Sequence, residues 1–403
     1  MNCAGSSQRR KRMLTRKLPD VVETPAVLGY GHQFLDQDDI DAVVEVLRGE
    51  SLTQGEAVRR FEDRLAAVTG APHALAVANG TLALQLAYLA LDVGPGTRVV
   101  TTANTFLATA SSAIHCGAEV DFVDIEPRSA NLDIVELEAV LAGPDPPEVV
   151  TVVHFAGLPC AMQRVLELKR RHGFKLVEDA AHALGARYQA DGRTWCVGEH
   201  PEVDATCLSF HPVKHITTGE GGAVLTHDPE RAARLRRLRE HGIDRELQGL
   251  GYAPMVELGL NARMSDIQAA LGWSQLEKLP DFLAARREIA MRYLVELRDF
   301  ELPDPGCEDR EHAWHLFFLH VDPGERDRMM EALLQAGIRT QVHYRPVPLQ
   351  PWFRSRHRGG LWPEAELHAA RAISLPIYPS LAEEDQSRVI GFLNAWRHGG
   401  IAA

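Results

Sequence analysis

The chain has 403 residues, 45% apolar and 24% charged, which is enough to bury more than one ordinary core and is typical of a globular protein. Its formal net charge is −12, and no broad basic stretch follows the first twenty residues. Nucleic acid or an anionic membrane is therefore disfavoured as the main partner, while a small anionic ligand in a locally positive pocket is not. No apolar run is long enough to span a bilayer, and the six cysteines contain no Cys-x-x-Cys pair. Neither a disulfide framework nor a zinc ribbon is indicated, and reduced thiols in a cytoplasm are expected.

Residues 1–26 form a basic leader that opens "MNCAGSSQRRKR" and lacks the apolar core of a signal peptide. A flexible tail is expected there, the alternative for "RRKR" being a nucleic-acid or sorting patch. "DDIDAVVEVLRG" sets Ile40, Val43, Val44 and Leu47 at helical spacing, and "EAVRRFEDRLAAVTG" does the same with Val58, Phe61 and Leu65. From Ala74 onward short β-rich runs ("HALAVANG", "RVVTTA", "EVDFVDI", "PEVVTVVHF", "KLVEDA") alternate with helical ones ("TLALQLAYLALDVG", "LATASSAIHCG", "MQRVLELKRRHG"). The later strands are continuous apolar runs, as expected when helices cover both faces of a sheet. The pattern predicts an α/β protein with a mainly parallel central sheet and right-handed crossovers. After "DIQAALGWSQLEKL" it predicts helix, strand ("AWHLFFLHV"), helix, strand ("IRTQVHY") and a closing helix. A large domain over 27–280 and a small C-terminal α/β domain over 281–403 are expected, divided near Pro280.

In open parallel sheets ligands bind beyond the carboxyl ends of the strands, so polar residues at strand ends come first. In "AVANGTLAL", Asn79, Gly80 and Thr81 lie between strand and helix, where free amides could hold a phosphate; the plainer reading is a tight turn with Thr81 as N-cap. In "KLVEDAAHALGA", Asp179 ends a buried strand and needs a cation to stay ionised, such as a pyridinium nitrogen; alternatively it caps a following helix, with His182 a satisfied core histidine. "SFHPVKHITTGEGGAVLT" presents the single cation Lys214 on a Pro- and Gly-constrained connection. Desolvated, its amine could form a Schiff base with an aldehyde; the alternative is a surface lysine in a glycine-rich loop. Phe106 in "TTANTFLATA" could stack on a flat cofactor or simply be core. An anion cradle, a ring face, a partner for a ring nitrogen and an amine for an aldehyde together match the needs of pyridoxal 5'-phosphate.

These segments, with "LTQGEAVRRFE", "ELGLNARMSDIQAALGWSQL", "VHYRP" and "ISLPIYP", resemble the DegT/DnrJ/EryC1/StrS family of sugar aminotransferases over about residues 27 to 395. The resemblance implies a fold-type-I, aspartate aminotransferase-like transferase that cycles between pyridoxal and pyridoxamine 5'-phosphate. It implies that Lys214 forms the Schiff base, Asp179 pairs with the pyridinium nitrogen, His182 sits near the phenolic oxygen and Phe106 stacks on the ring. Gly80, Thr81 and Ser209 would bind the phosphate. Asn261 would reach the cofactor of the neighbouring subunit, which makes a homodimer part of the site, and Arg263, His343 and Tyr344 are substrate-side candidates. The sequence departs from the family at Asn79, where serine is usual, and in "HFAGLP", where "HLYGQP" is more common, which leaves substrate contacts near Phe155 open. Lys214 stands where sugar C3 dehydratases have histidine, which favours transamination.

The implied reaction takes an amino group from glutamate to a keto-sugar nucleotide. "LTQG", "SFHPVK" and "NARMSDIQAALG" most resemble the branch acting at C4 of UDP-4-keto-6-deoxy-N-acetylhexosamines, with action on dTDP- or GDP-sugars or at C3, or a non-catalytic binding regulator, as alternatives. A nicotinamide oxidoreductase is disfavoured, since no Gly-x-Gly-x-x-Gly follows the first strand. A metal site built on His312, His315 and His320 lacks a matching ligand set, so these are expected to be packing or surface residues.

Overall fold

The computed structural model describes residues 27–399 apart from 248, 250 and 358, so the readings made for the leader and Cys3 lie outside the described residues. Two amphipathic helices, α1 (Gln37–Arg48) and α2 (Glu56–Thr69), precede the first strand, and Asp36 and Asp39 close a capping box on α1. Then strand and helix alternate: β1 (His73–Val77), α3 (Gly80–Ala90), β2 (Arg98–Thr102), α4 (Leu107–His115), β3 (Glu119–Val123), α5 (Ile134–Leu141), β4 (Val149–Val153), α6 (Met162–His172) and β5 (Lys175–Asp179). A hairpin of β6 (Arg187–Ala190) and β7 (Arg193–Cys196) intervenes before β8 (Ala205–Ser209), β9 (Gly222–Thr226) and α7 (Pro229–Arg239).

Seven strands form one sheet in the order β1-β9-β8-β5-β4-β2-β3, parallel throughout except for β9, which runs antiparallel to both neighbours. Successive side chains of a strand point to opposite faces, so Val100, Val150 and Leu176 enter one apolar core while Val99, Val149 and Val177 enter another. Helices cover both faces, which is why every residue of β4 is buried. The registers Val153 to Asp179 and Val77 to Gly222 to Ser209 align the carboxyl ends of four strands with the start of β9 along one edge.

The chain continues through α8 (Asp266–Glu296), β10 (Arg310–Glu311), β11 (Phe317–His320), α9 (Arg326–Gln335), α10 (Pro363–Arg371), β12 (Ala372–Leu375) and α11 (Glu383–Arg397). β11 and β12 pair antiparallel, and their apolar side chains join Tyr293, Val389 and Leu393 in a third core. Pro280 falls inside the 31-residue α8 rather than at a linker. The helix starts against the large-sheet core at Leu276 and Phe282 and ends in the third core at Ile289 and Tyr293, so one rigid element belongs to both.

The strand expected over "IRTQVHY" is reduced to isolated bridges, Ile338 with Leu28 and Gln341 with Ser374. The physical reason is local: the consecutive residues Gln341, Val342, His343 and Tyr344 all line one cleft, which a strand with a period of two cannot do. The β6–β7 hairpin was not expected from sequence, although its turn is Asp191-Gly192 with both residues at positive φ (54° and 72°). An Asp-Gly pair between short runs favours that tight hairpin turn.

Candidate active site

A cleft of about 950 Å³ opens at the carboxyl edge of the large sheet. It is lined by Gly80, Thr81, Phe106, Asp179, His182, Ser209, Lys214, His343 and Tyr344, which are nine of the eleven residues that the family resemblance implies for the site.

The N-terminus of α3 forms one end. Its N-cap is Asn79, not Thr81: the Asn79 side chain accepts from the Leu82 amide at 2.9 Å and its carbonyl takes the Ala83 amide at 3.0 Å. Among the described residues no carbonyl takes the Gly80 or Thr81 amide, and the first turn holds no acidic residue. This leaves donors and a partial positive charge for an anion. Three backbones crowd here. A Cβ on Gly80 would lie 2.9 Å from Ser209 Cβ, and one on Gly222 would lie 2.6 Å from the Asn79 carbonyl carbon. Gly222→Ala is thus expected to destabilise the protein by about 1–3 kcal/mol and to loosen this cradle, because the obstacle is backbone. Thermal unfolding together with phosphate-ester binding checks it; unchanged values for both would mean that the crowding is relieved at no penalty.

Asp179 ends β5 on the same face as Val177. Its Oδ2 accepts from Thr109 Oγ1 of α4 at 2.7 Å, and its Oδ1 from the Ala181 amide at 3.2 Å. No helix follows, so it is not a helix cap. Burial pushes its carboxyl pKa up against the Thr109 and Ala181 hydrogen bonds and the positive charge of Lys214. A cationic ring nitrogen would relieve that penalty.

Lys214 stands on the connection between β8 and β9, which is closed by Phe210 bonding to Gly221 at 2.8 Å and Thr218 bonding to Phe210 at 3.0 Å. Burial pushes its amine down to about 8, with Asp179 opposing and Arg286 reinforcing the shift. It is therefore not an ordinary surface lysine, and about one-tenth of it is uncharged at pH 7, far more than for a lysine of ordinary pKa.

His182 is buried and its Nε2 lies 3.2 Å from the Tyr344 hydroxyl, while its Nδ1 has no partner among the described residues. Burial holds its pKa well below the usual histidine value. Tyr344 is fixed by its amide, which donates to Asn104 Oδ1 at 3.0 Å, and its phenol is pushed upward by burial. The His343 Nδ1 lies 2.8 Å from Ser374 Oγ. Phe106 precedes α4 and is 56% exposed at the cleft mouth, its ring 6.0 Å from that of Tyr344.

Asn261 and Arg263 are not in this cleft. They lie on the extended segment behind β1, where Asn261 bridges Glu240, Arg263 bridges Val77, and the Arg263 guanidinium is 3.9 Å from Glu240. The three histidines diverge and share no site. His312 stacks on Trp314 at 3.8 Å, and His320 bonds Glu301 and His368. His315 departs from the expected packing role: it lines the cleft, 4.3 Å from the His182 ring, with Nδ1 unpartnered among the described residues. Spacing along a strand-like segment gave no sign of this, and the same holds for Thr109 and Asn104, whose roles depend on how α4 and the 338–344 segment meet the sheet.

The sequence profile of the DegT/DnrJ/EryC1/StrS aminotransferase family matches residues 33–394. The chain belongs to that family. It is 36% identical over 382 residues to the Bacillus subtilis spore coat polysaccharide biosynthesis protein SpsC, covering 90% of this chain and 95% of SpsC. Helicobacter pylori PseC, an aminotransferase involved in pseudaminic acid biosynthesis, superposes with a TM-score of 0.86 at 29% identity, over 93% of this chain and all (100%) of PseC. The sugar aminotransferase Spr1654 from Streptococcus pneumoniae, in its pyridoxal phosphate form, gives a TM-score of 0.85 at 28% identity over 93% and 100% of the two chains. The protein is thus a pyridoxal-phosphate-dependent sugar aminotransferase of fold type I. Its cleft fits that cofactor: the glycine-crowded amide cradle would take the phosphate, the buried Asp179 the ring nitrogen, and the free imidazole nitrogens supply polar contacts that the fold leaves unmade. Among the described residues no helix is long and apolar enough to cross a membrane.

Proposed function

We propose that this aminotransferase moves the amino group of glutamate to the C4 keto group of a UDP-4-keto-6-deoxy-N-acetylhexosamine, with Lys214 as the cofactor-binding and proton-transferring residue. One observation carries the site assignment: a lysine amine pushed down to about 8 shares a cleft with a buried carboxylate and an open helix N-terminus. Support for the sugar comes from the likeness to PseC and SpsC and from the "LTQG", "SFHPVK" and "NARMSDIQAALG" segments.

When bound, pyridoxal phosphate supplies the electron-withdrawing ring that carries an amino group between donor and acceptor. Gly80, Thr81 and Ser209 would hold its phosphate, and Asp179, oriented by Thr109, would hold positive charge at the ring nitrogen. The His182–Tyr344 pair would supply polar contacts to the ring hydroxyl, and Phe106 would limit water at the cleft. Neutral Lys214 takes a proton from the donor's α-carbon, and in the second half of the cycle it returns a proton to the sugar carbon. His343 and Tyr344, which line the cleft, contact the sugar.

Asn261 acts in the neighbouring subunit's site of a homodimer. The segment leading to it exposes Leu247 (62%), Tyr252 (68%), Met255 (61%) and Leu258 (82%), an apolar group that association would cover. A monomer mass by light scattering at working concentration would remove the shared-site part of the proposal. The substrate is tested with 4-keto and 3-keto sugars on UDP, dTDP and GDP, offered with nitrogen-labelled glutamate and read by mass spectrometry. Label entering only a 3-keto or a dTDP- or GDP-linked sugar would overturn the C4, UDP assignment.

A further inference from the structure

Arg286 lies midway along α8 with its side chain fully buried (0% exposed). Among the described residues no carboxylate pairs with it. Its partners are carbonyl oxygens: Nη1 donates to those of Ile377 at 2.9 Å and of Trp314 and His315 at 3.2 Å each, and Nη2 donates to that of Val213 at 3.4 Å. These carbonyls come from three separate stretches: the residue just before Lys214, the segment carrying His315, and the segment following β12. The guanidinium supplies the donors for these carbonyls, which an apolar side chain of similar volume would leave unpaired.

The charges around Lys214 give it a purpose. Asp179 and Arg286 act on the amine from opposite directions, Asp179 favouring its protonation and Arg286 opposing it. The imidazoles of His182, His211, His215, His315 and His343 also sense Lys214, but burial lowers the pKa of each and leaves them uncharged at neutral pH. Burial lowers the Arg286 pKa as well, to about 9, which still leaves it cationic at neutral pH. Arg286, bonded to the carbonyl of the residue before Lys214, is therefore a fixed positive charge that opposes protonation of that amine.

We propose that Arg286 is a positioning residue for Lys214, tying the peptide before the lysine to the His315 segment and setting a buried positive charge against the amine. The proposal rests on Lys214 being the Schiff-base lysine. Only a neutral amine has the lone pair that attacks an aldehyde carbon, forming the C–N bond as water leaves. An arrangement that discourages the ammonium form and fixes the direction of the side chain serves both requirements.

The test uses cofactor-free protein, with trace acetylation across neutral to alkaline pH and mass-spectrometric quantitation of the peptide 209–226. Wild-type Lys214 is expected to react with a midpoint near 8. Arg286→Gln keeps donors for carbonyls and removes the charge, so its midpoint is expected to rise above that of the wild type while staying below the ordinary lysine range, because burial, the larger cause of the lowering, is unchanged. Arg286→Lys keeps the charge and loses the planar fork. Its midpoint should stay near 8 while pyridoxal phosphate is retained roughly tenfold less tightly, the worth of one charge-assisted hydrogen bond. A folded Gln variant with an unmoved midpoint overturns the proposal, as does a Lys variant with wild-type cofactor retention. Failure of both variants to fold assigns Arg286 a structural role only and overturns it too. The underlying reading fails separately: borohydride capture of the cofactor on a lysine other than Lys214 in the wild type would sink that reading.

Discussion

Lys214→Ala is expected to lower amino transfer by roughly 10⁴-fold, the upper end of what one positioned proton-transfer group contributes. The expectation is at that end because the same amine would perform two tasks, anchoring the cofactor and carrying the proton. The loss should not be one of folding. Lys214 lies on a connection held by the backbone bonds of Phe210 with Gly221 and Thr218, and neither bond involves its side chain. The variant should still bind pyridoxal phosphate through Gly80, Thr81, Ser209 and Asp179, but without a covalent link. Borohydride treatment followed by mass spectrometry should find the pyridoxyl adduct on peptide 209–226 of the wild type and not of the variant. Activity within tenfold of wild type would end the assignment of Lys214.

The pH dependence of cofactor capture follows from the same residue. Since burial pushes the amine down to about 8, the reactive neutral form increases as pH rises through that value and is nearly complete above it. An ordinary lysine would still be mostly protonated there. The initial rate of pyridoxal phosphate uptake by cofactor-free protein should therefore climb through about pH 8 and level off, whereas a rise delayed to the ordinary lysine range would contradict the burial.

The large sheet was legible in the sequence because several of its strands are short, largely apolar and β-branched runs such as "VVTVV" set between helical stretches. Asp179 stood out as a carboxylate ending a buried strand, and Lys214 as the single cation on a connection constrained by proline and glycine. What sequence could not carry was convergence from different segments. His315 enters the cleft only because its segment crosses the edge of the large sheet beside His182. Arg286 is the first of an Arg-Arg pair in an amphipathic helix, and its neighbour Arg287 is exposed and ion-paired with Glu311. One signal was present: Phe282, Arg286, Ile289 and Tyr293 follow the spacing of the buried stripe of α8, which places this arginine on the apolar side. Periodicity assigned the face, but only the fold supplies the carbonyls that make a buried guanidinium tolerable there.

Asp179→Asn is expected to lower turnover by roughly 100- to 1000-fold while leaving the fold in place. The carboxylate sits among Thr109, the Ala181 amide and the more distant Lys214 and His154, and burial already penalises its charge. With no cofactor bound, an amide of the same shape keeps an acceptor for Thr109, gives up the longer bond from the Ala181 amide at 3.2 Å and removes a buried charge, so thermal stability should be unchanged or higher. With cofactor bound the balance reverses. The ring nitrogen then loses the anion that keeps it protonated, and removing one member of a buried ion pair costs about 3–5 kcal/mol, the lower part of which corresponds to the stated fall in rate. Stability and activity should therefore move in opposite directions, which a general packing defect would not produce. Substituting a cofactor analogue that carries a permanent positive charge at the ring nitrogen, N-methylated pyridoxal phosphate, should restore part of the lost turnover in Asp179→Asn. No restoration, or a variant as active as wild type, would show that the carboxylate does not serve the ring nitrogen.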